Sequence, residues 1–117
     1  MEQTKILMYV KKDGKCPVQD FLHSLNEKLR AKVFHSMKLL EMNGFLLREP
    51  FSKYLKEDIY ELRVQQANNA VRILYFFIVG NSVVFTNGFV KKTQKTPKEE
   101  IELAIKYRKD YLAREGE

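Results

Sequence analysis

Along this chain the spacing of apolar positions switches between near-alternating runs and a rhythm of three to four residues. The opening TKILMYVKKDGK carries an apolar run from Ile6 to Val10 and then a turn signal at Asp13-Gly14, which predicts a strand running into a turn. Pro17 suits a first helical position, so PVQDFLHSL reads as a short helix. Ser24 and Glu27 then have capping-box spacing. Leu29, Val33, Met37 and Leu40 fall on one face of a longer helix of about five turns, with Gly44 beyond its end. After Pro50 the pattern changes: YELRV alternates, AVRILYFFIV is almost continuously apolar, and SVVFTNGFV is rich in β-branched and aromatic residues. Gly80-Asn81 predicts a tight hairpin between the last two. Thr96, Pro97 and Glu99 read as N-cap, first helical residue and capping glutamate of a last helix, with Ile101, Ala104, Ile105, Tyr111 and Leu112 as its buried stripe. Strand, two helices, antiparallel meander, helix: the expected class is α+β.

Register in the meander follows from the same pattern. With Gln66–Asn69 as a four-residue connection, Val64 faces Val71, Leu62 faces Ile73 and Tyr60 faces Tyr75, all of them apolar pairs. A slip of one residue would set Arg63 against Val71. The favoured register places Arg63 directly opposite Arg72 on the other face, with Glu61 nearby. Two like charges across a strand pair are mildly destabilising unless a carboxylate or phosphate lies between them, and guanidinium forks bind either. Folding SVVFTNGFV back on AVRILYFFIV brings residues 89–90 beside Arg72, so Lys91 and Lys92 leave the sheet close to both arginines. The positive end of the last helix lies a few residues on.

Size and charge then narrow the possibilities. A chain of 117 residues is long enough for a proper core and points to one domain spanning 1–117. Eight Phe and six Tyr argue against disorder. A net charge of +6 favours an anionic partner. Cys16 is the single cysteine, which leaves no intramolecular disulfide and makes a cytoplasmic life the default. The Ile6–Val10 run is too short for a signal-peptide core or a membrane span, so no membrane association is expected.

Taken alone, KKTQK reads as a solvated turn, and Arg63 and Arg72 serve equally well as structural ion-pair partners. Their convergence favours an anion site. His23 and His35 read as surface histidines, Gly88 as a lone glycine of little weight, and Met8, Met37 and Met42 as core or near-core filler. There is no Cys/His cluster or carboxylate pair for a metal, no phosphate-binding glycine loop and no nucleophile elbow. Chemistry at this site would rest on Arg, Lys and Glu61. Metal-free RNA cleavage fits that set, because the ribose 2′-hydroxyl is its own nucleophile and the protein need only align it, stabilise charge and move protons.

IYELRV (59–64), VRILYFF (71–77) and above all NGFVKKTQKTPKEEIELA (87–104) resemble the RelE/ParE toxin superfamily in its HigB-like, phage-derived host-killing branch. The resemblance is strong over the second half and extends to the first half only in the order of elements. It implies two helices packed on a twisted antiparallel sheet with a C-terminal helix. It implies a type II toxin that cleaves mRNA on the ribosome and is held inactive by a HigA-like helix-turn-helix antitoxin. No cofactor is implied. Carried across, Arg63, Arg72, Lys92 and Glu61 are the expected catalytic residues, and Lys91, Lys95 and Lys98 the expected phosphate contacts. Two features depart from the family pattern. Gln94–Lys98 lack the tyrosine or histidine that many members place there, and Glu61 stands where many have lysine. Lys92 is then the expected proton-transfer group and Glu61 a candidate base. The superfamily's other branch implies a different outcome, a ParE-like inhibitor of DNA gyrase, and a non-catalytic nucleic-acid-binding module is a third.

Overall fold

The computed structural model describes residues 3–115. Strand β1 (Lys5–Met8) is followed by helices α1 (Pro17–Ser24) and α2 (Glu27–Asn43) and one 3₁₀ turn (Gly44–Leu46). Four strands come next, β2 (Ser52–Lys56), β3 (Ile59–Gln66), β4 (Asn69–Ile78) and β5 (Ser82–Val90), and then helix α3 (Lys98–Glu115). The strands form one sheet in the order β1-β5-β4-β3-β2. The class is α+β as the order of elements predicted, but the sheet is mixed: β1 pairs parallel with β5, Leu7 beside Val84. An antiparallel edge needs only a hairpin, whereas this parallel edge closes across nearly the whole chain, and no local pattern announces it.

Each face of the sheet carries its own layer. Val18 and Leu22 of α1 and Leu29, Val33, Met37 and Leu40 of α2 pack on Leu62, Val64, Ile73, Tyr75 and Phe85. On the opposite face Ala104 of α3 packs with Ile59, Leu74, Phe76, Val84 and Phe89, and Ile105, Tyr107, Tyr111 and Leu112 close over it. Of the stripe expected on α3, only Ala104 is fully buried; the larger residues are half-buried because this helix lies at the rim. Met37 is in the core and Met8 half-buried, while Met42 is exposed on the far side of α2.

Local chemistry departs from expectation at three places. Ser24 does not cap α2. It is the last residue of α1, where its hydroxyl donates to the Phe21 carbonyl at 2.6 Å, and Asn26 is the cap, its Oδ1 accepting from Leu29 N at 2.9 Å. Arg30 then ties the two helices, donating to the Leu22 and Leu25 carbonyls at 2.9 and 2.7 Å. The β3–β4 connection is tighter than the expected four residues: Gln66 pairs with Asn69, leaving Ala67 and Asn68 as the turn. Strand β2 was not anticipated, because SKYLK is short, lysine-bearing and lies at the sheet edge, where apolar alternation is not required. Gly88, by contrast, matters more than its sequence context suggests. A Cβ there would lie 2.6 Å from the Phe21 ring and 2.7 Å from Ile73 Cδ1, so its absence lets α1 sit directly on β5.

Candidate functional site

The register deduced from alternation is the one observed: Arg63 pairs with Arg72, Leu62 with Ile73 and Val64 with Val71. Arg72 also sits beside Phe89 of β5. Parity places Glu61, Arg63 and Arg72 on the α3 face, at the end of the sheet where β5 exits toward α3.

Glu61 organises this corner. It is 1% exposed, a buried acid on the α3 face of the sheet. Its Oε2 accepts from Arg63 Nε at 3.1 Å, and its Oε1 lies 3.6 Å from Arg72 Nε. The same Oε1 accepts from the Thr96 hydroxyl at 2.6 Å. One buried carboxylate thus compensates two facing guanidinium groups and anchors the loop before α3, which a buried charge requires if it is to be tolerated. Thr96 therefore does not cap α3 with its side chain. The helix starts at Lys98, and the Pro97 carbonyl accepts from Glu100 and Ile101. Asn87 of β5 donates to the Glu100 backbone and carboxylate at 3.3 and 3.0 Å, fixing the first turn of α3 against the sheet.

A bulge decides which lysine enters the corner. Leu74 pairs with Asn87 but Tyr75 with Phe85, so Thr86 is an extra residue in β5, its hydroxyl donating to the Leu74 carbonyl at 3.2 Å. The insertion reverses the parity of the rest of the strand. Asn87 and Phe89 therefore face α3, and Lys91, whose N–H still donates to the Ala70 carbonyl at 2.8 Å, follows them. Lys91 lines a cleft of about 330 Å³ together with Lys53, Glu61, Arg63, Lys95 and Thr96. Lys92 is exposed and does not line it. Lys98 is also exposed, 3.9 Å from Glu102, and lies outside the lining. Lys53 of β2, paired with Glu61 across the strands, joins the cleft although the sequence pattern does not predict β2.

Electrostatically the corner is a crowd of cations around one acid. Burial lowers the pKa of Lys91 from its ordinary value, the Arg72, Arg63 and Lys53 charges lower it further, and Glu61 partly opposes them. Burial likewise lowers that of Arg72; Glu61 acts against this and Arg63 with it. Arg63 is the more accessible guanidinium, with a side chain 24% exposed against 10% for Arg72, and it has a second acidic neighbour in Glu49 at 3.8 Å. Such a cleft attracts a polyanion, offers a fork to a phosphate and holds a lysine whose proton is more labile than usual. Among the described residues no three His, Cys, Asp or Glu side chains are grouped to hold a metal ion, and no helix is long and apolar enough to cross a membrane. His23 and His35 are both exposed, as expected.

Residues 20–109 match the family described as Phage derived protein Gp49-like, a stretch that takes in α2, strands β2 to β5 and the whole lining of the cleft. Over 53 residues the chain is 47% identical to a protein named Probable endoribonuclease HigB1 in each of two strains of Mycobacterium tuberculosis. The aligned stretch is 45% of this chain and 42% of each relative, so the match spans less than half the length of those proteins.

Proposed function

The chain belongs to the family of phage-derived Gp49-like proteins, and from that premise we propose that it is the toxin of a type II toxin–antitoxin system, an endoribonuclease of the HigB kind. The observation that carries the reading is the convergence of Arg63, Lys91, Lys53 and Lys95 on one cleft around buried Glu61, with Arg72 beside it, 3.6 Å from the same carboxylate. The endoribonuclease name of its partial relatives supports the same reading. The substrate is mRNA engaged by the ribosome, the place of action the cytoplasm, the partner a HigA-like antitoxin, and the working unit a single domain.

In the proposed reaction the 2′-hydroxyl oxygen attacks the adjacent phosphorus and the bond to the 5′-oxygen breaks. The products are a 2′,3′-cyclic phosphate and a 5′-hydroxyl, so one proton passes from the nucleophile to solvent water and one is delivered to the leaving oxygen. Arg63 and Arg72 bind the phosphate and stabilise the charge that builds on it, where preorganised donors act most strongly. Glu61 is a positioning residue: both its oxygens are engaged by Arg63, Arg72 and Thr96, which suits it to hold the fork in place rather than to accept the substrate proton. Lys91 delivers the proton to the leaving oxygen, because it is the lysine that the bulge turns into the cleft. Lys92, Lys95 and Lys98 contact the backbone of the RNA on either side.

The test is induction of the protein in bacteria without its antitoxin, followed by ligation-based mapping of new 5′-hydroxyl ends. We expect ends concentrated inside translated frames. Arg72→Ala and Lys91→Ala, checked for native folding by circular dichroism, should reduce them by about 10²-fold or more, the scale seen when one charge-stabilising donor is removed. Growth arrest with DNA-damage signalling and no new ends would instead assign the protein to the gyrase-inhibiting branch.

A further inference from the structure

A second cleft adjoins the first. It has a volume of about 450 Å³ and lies between α2 and the start of β2, on the far side of Arg63, which lines both. Its α2 wall presents Lys32, His35 and Leu39 from one helix face. Its opposite wall is Phe51, a residue 48% exposed although its backbone is fixed: the Phe51 carbonyl accepts from Arg63 N at 2.8 Å. Gln65 and Arg72 also line the cleft. Gln65 Nε2 donates to the Ala67 carbonyl at 3.0 Å, which leaves its Oε1 as an acceptor.

We propose that this cleft binds the base of the nucleotide next to the cleaved bond, stacking it on Phe51 beside His35. The inference rests on the nuclease reading above and adds a subsite to it. Single-stranded RNA alternates an anionic phosphate with a flat, polar-edged ring, and proteins that hold it combine cations with exposed aromatic faces. Here the two requirements stand side by side. A phosphate on Arg63 places the adjoining base at the mouth of a cavity of nucleotide size with an aromatic wall, an imidazole and an amide edge. Lys32 supplies positive charge for the phosphate that follows. A wholly apolar partner would leave these cations unused, and an acidic peptide would leave the exposed ring unmatched.

The experiment uses a single-stranded RNA hexamer methylated at every 2′-oxygen, which binds but cannot be cut, with 2-aminopurine placed at each position in turn. On the wild-type protein one position should lose fluorescence through stacking. Phe51→Ala should abolish that loss and weaken binding about tenfold, the scale of one base–aromatic stack. His35→Ala should weaken binding less, acting on the same position, and truncating the more exposed Phe45 should change nothing. Affinity and quenching that are insensitive to Phe51→Ala would overturn the proposal, as would a Phe51 effect confined to antitoxin binding. The two readings separate cleanly because the probe cannot be cleaved. Stacking through Phe51 without RNA cuts in cells sinks the nuclease and keeps the cleft. Cuts whose positions and rates ignore Phe51 sink the cleft alone.

Discussion

At the scale of single residues the informative feature is a buried acid shared by two arginines. Arg63 and Arg72 face each other across β3 and β4, an arrangement that is unfavourable alone and tolerable because Glu61 lies within 3.1 Å of one and 3.6 Å of the other. That compensation is incomplete: two guanidinium groups and Lys91 surround one buried carboxylate, with only the exposed Glu49 beside Arg63 added to it among the described residues, so the corner retains positive charge for a phosphate. The same crowding yields a prediction about pH. The proposed reaction needs Lys91 protonated, and its pKa lies below the ordinary lysine value, so the rate should fall as pH rises through that lowered pKa. Cleavage of ribosome-bound mRNA followed as pH is raised from neutrality should show this alkaline limb, at lower pH than an ordinary lysine would give. Lys91→Arg, which keeps its charge throughout, should remove the limb while lowering the maximal rate. Lys92→Ala should weaken binding and leave the limb where it is. A limb that persists in Lys91→Arg would assign the proton to another group.

At the scale of elements, apolar periodicity marks the helices and leaves their ends undecided. The face Leu29, Val33, Met37 and Leu40 is the buried face of α2 because the period of a helix is a local property of the chain. The cap depends on which residue turns the backbone. Ser24 and Asn26 both carry suitable side chains, and the extended conformation at Leu25 and Asn26 decides between them. Asn26→Ala should therefore cost about 1 kcal/mol in urea unfolding, whereas Ser24→Ala, at the exposed end of α1, should fall within about 0.5 kcal/mol of the wild type. Equal losses, or the reverse order, would contradict the cap geometry. The bulge at Thr86 belongs to this scale too. Uninterrupted alternation from Val84 would carry Lys92 to the α3 face, and one inserted residue sends Lys91 there instead. Nothing in NSVVFTNGFV marks that position, since the bulge satisfies β4 and α3 packing rather than a local preference.

At the scale of the whole molecule, the net charge of +6 becomes functional only where the fold concentrates it. Lys53 from β2, Arg63 from β3, Arg72 from β4, Lys91 after β5 and Lys95 before α3 come from five segments to one end of the sheet. Binding of the uncleavable RNA should consequently be strongly salt-dependent, with log K falling by ~0.7 per neutralised phosphate for each unit of log[salt]. Lys53→Ala should make that slope shallower by about one such contact, ~0.7, in a titration from 50 to 300 mM salt. An unchanged slope would place Lys53 off the path of the RNA. The sequence by itself determined the α+β class, the α2 face, the β3–β4 register and hence the Arg63–Arg72 pair, because each depends on hydrophobic periods spanning only a few residues. Tertiary structure alone decided the parallel seat of β1, the edge strand that brings Lys53, the Thr96–Glu61 bond and the entry of Lys91 in place of Lys92. Those features arise from packing between segments far apart in the chain, where the free energy of contact, not local periodicity, selects the arrangement.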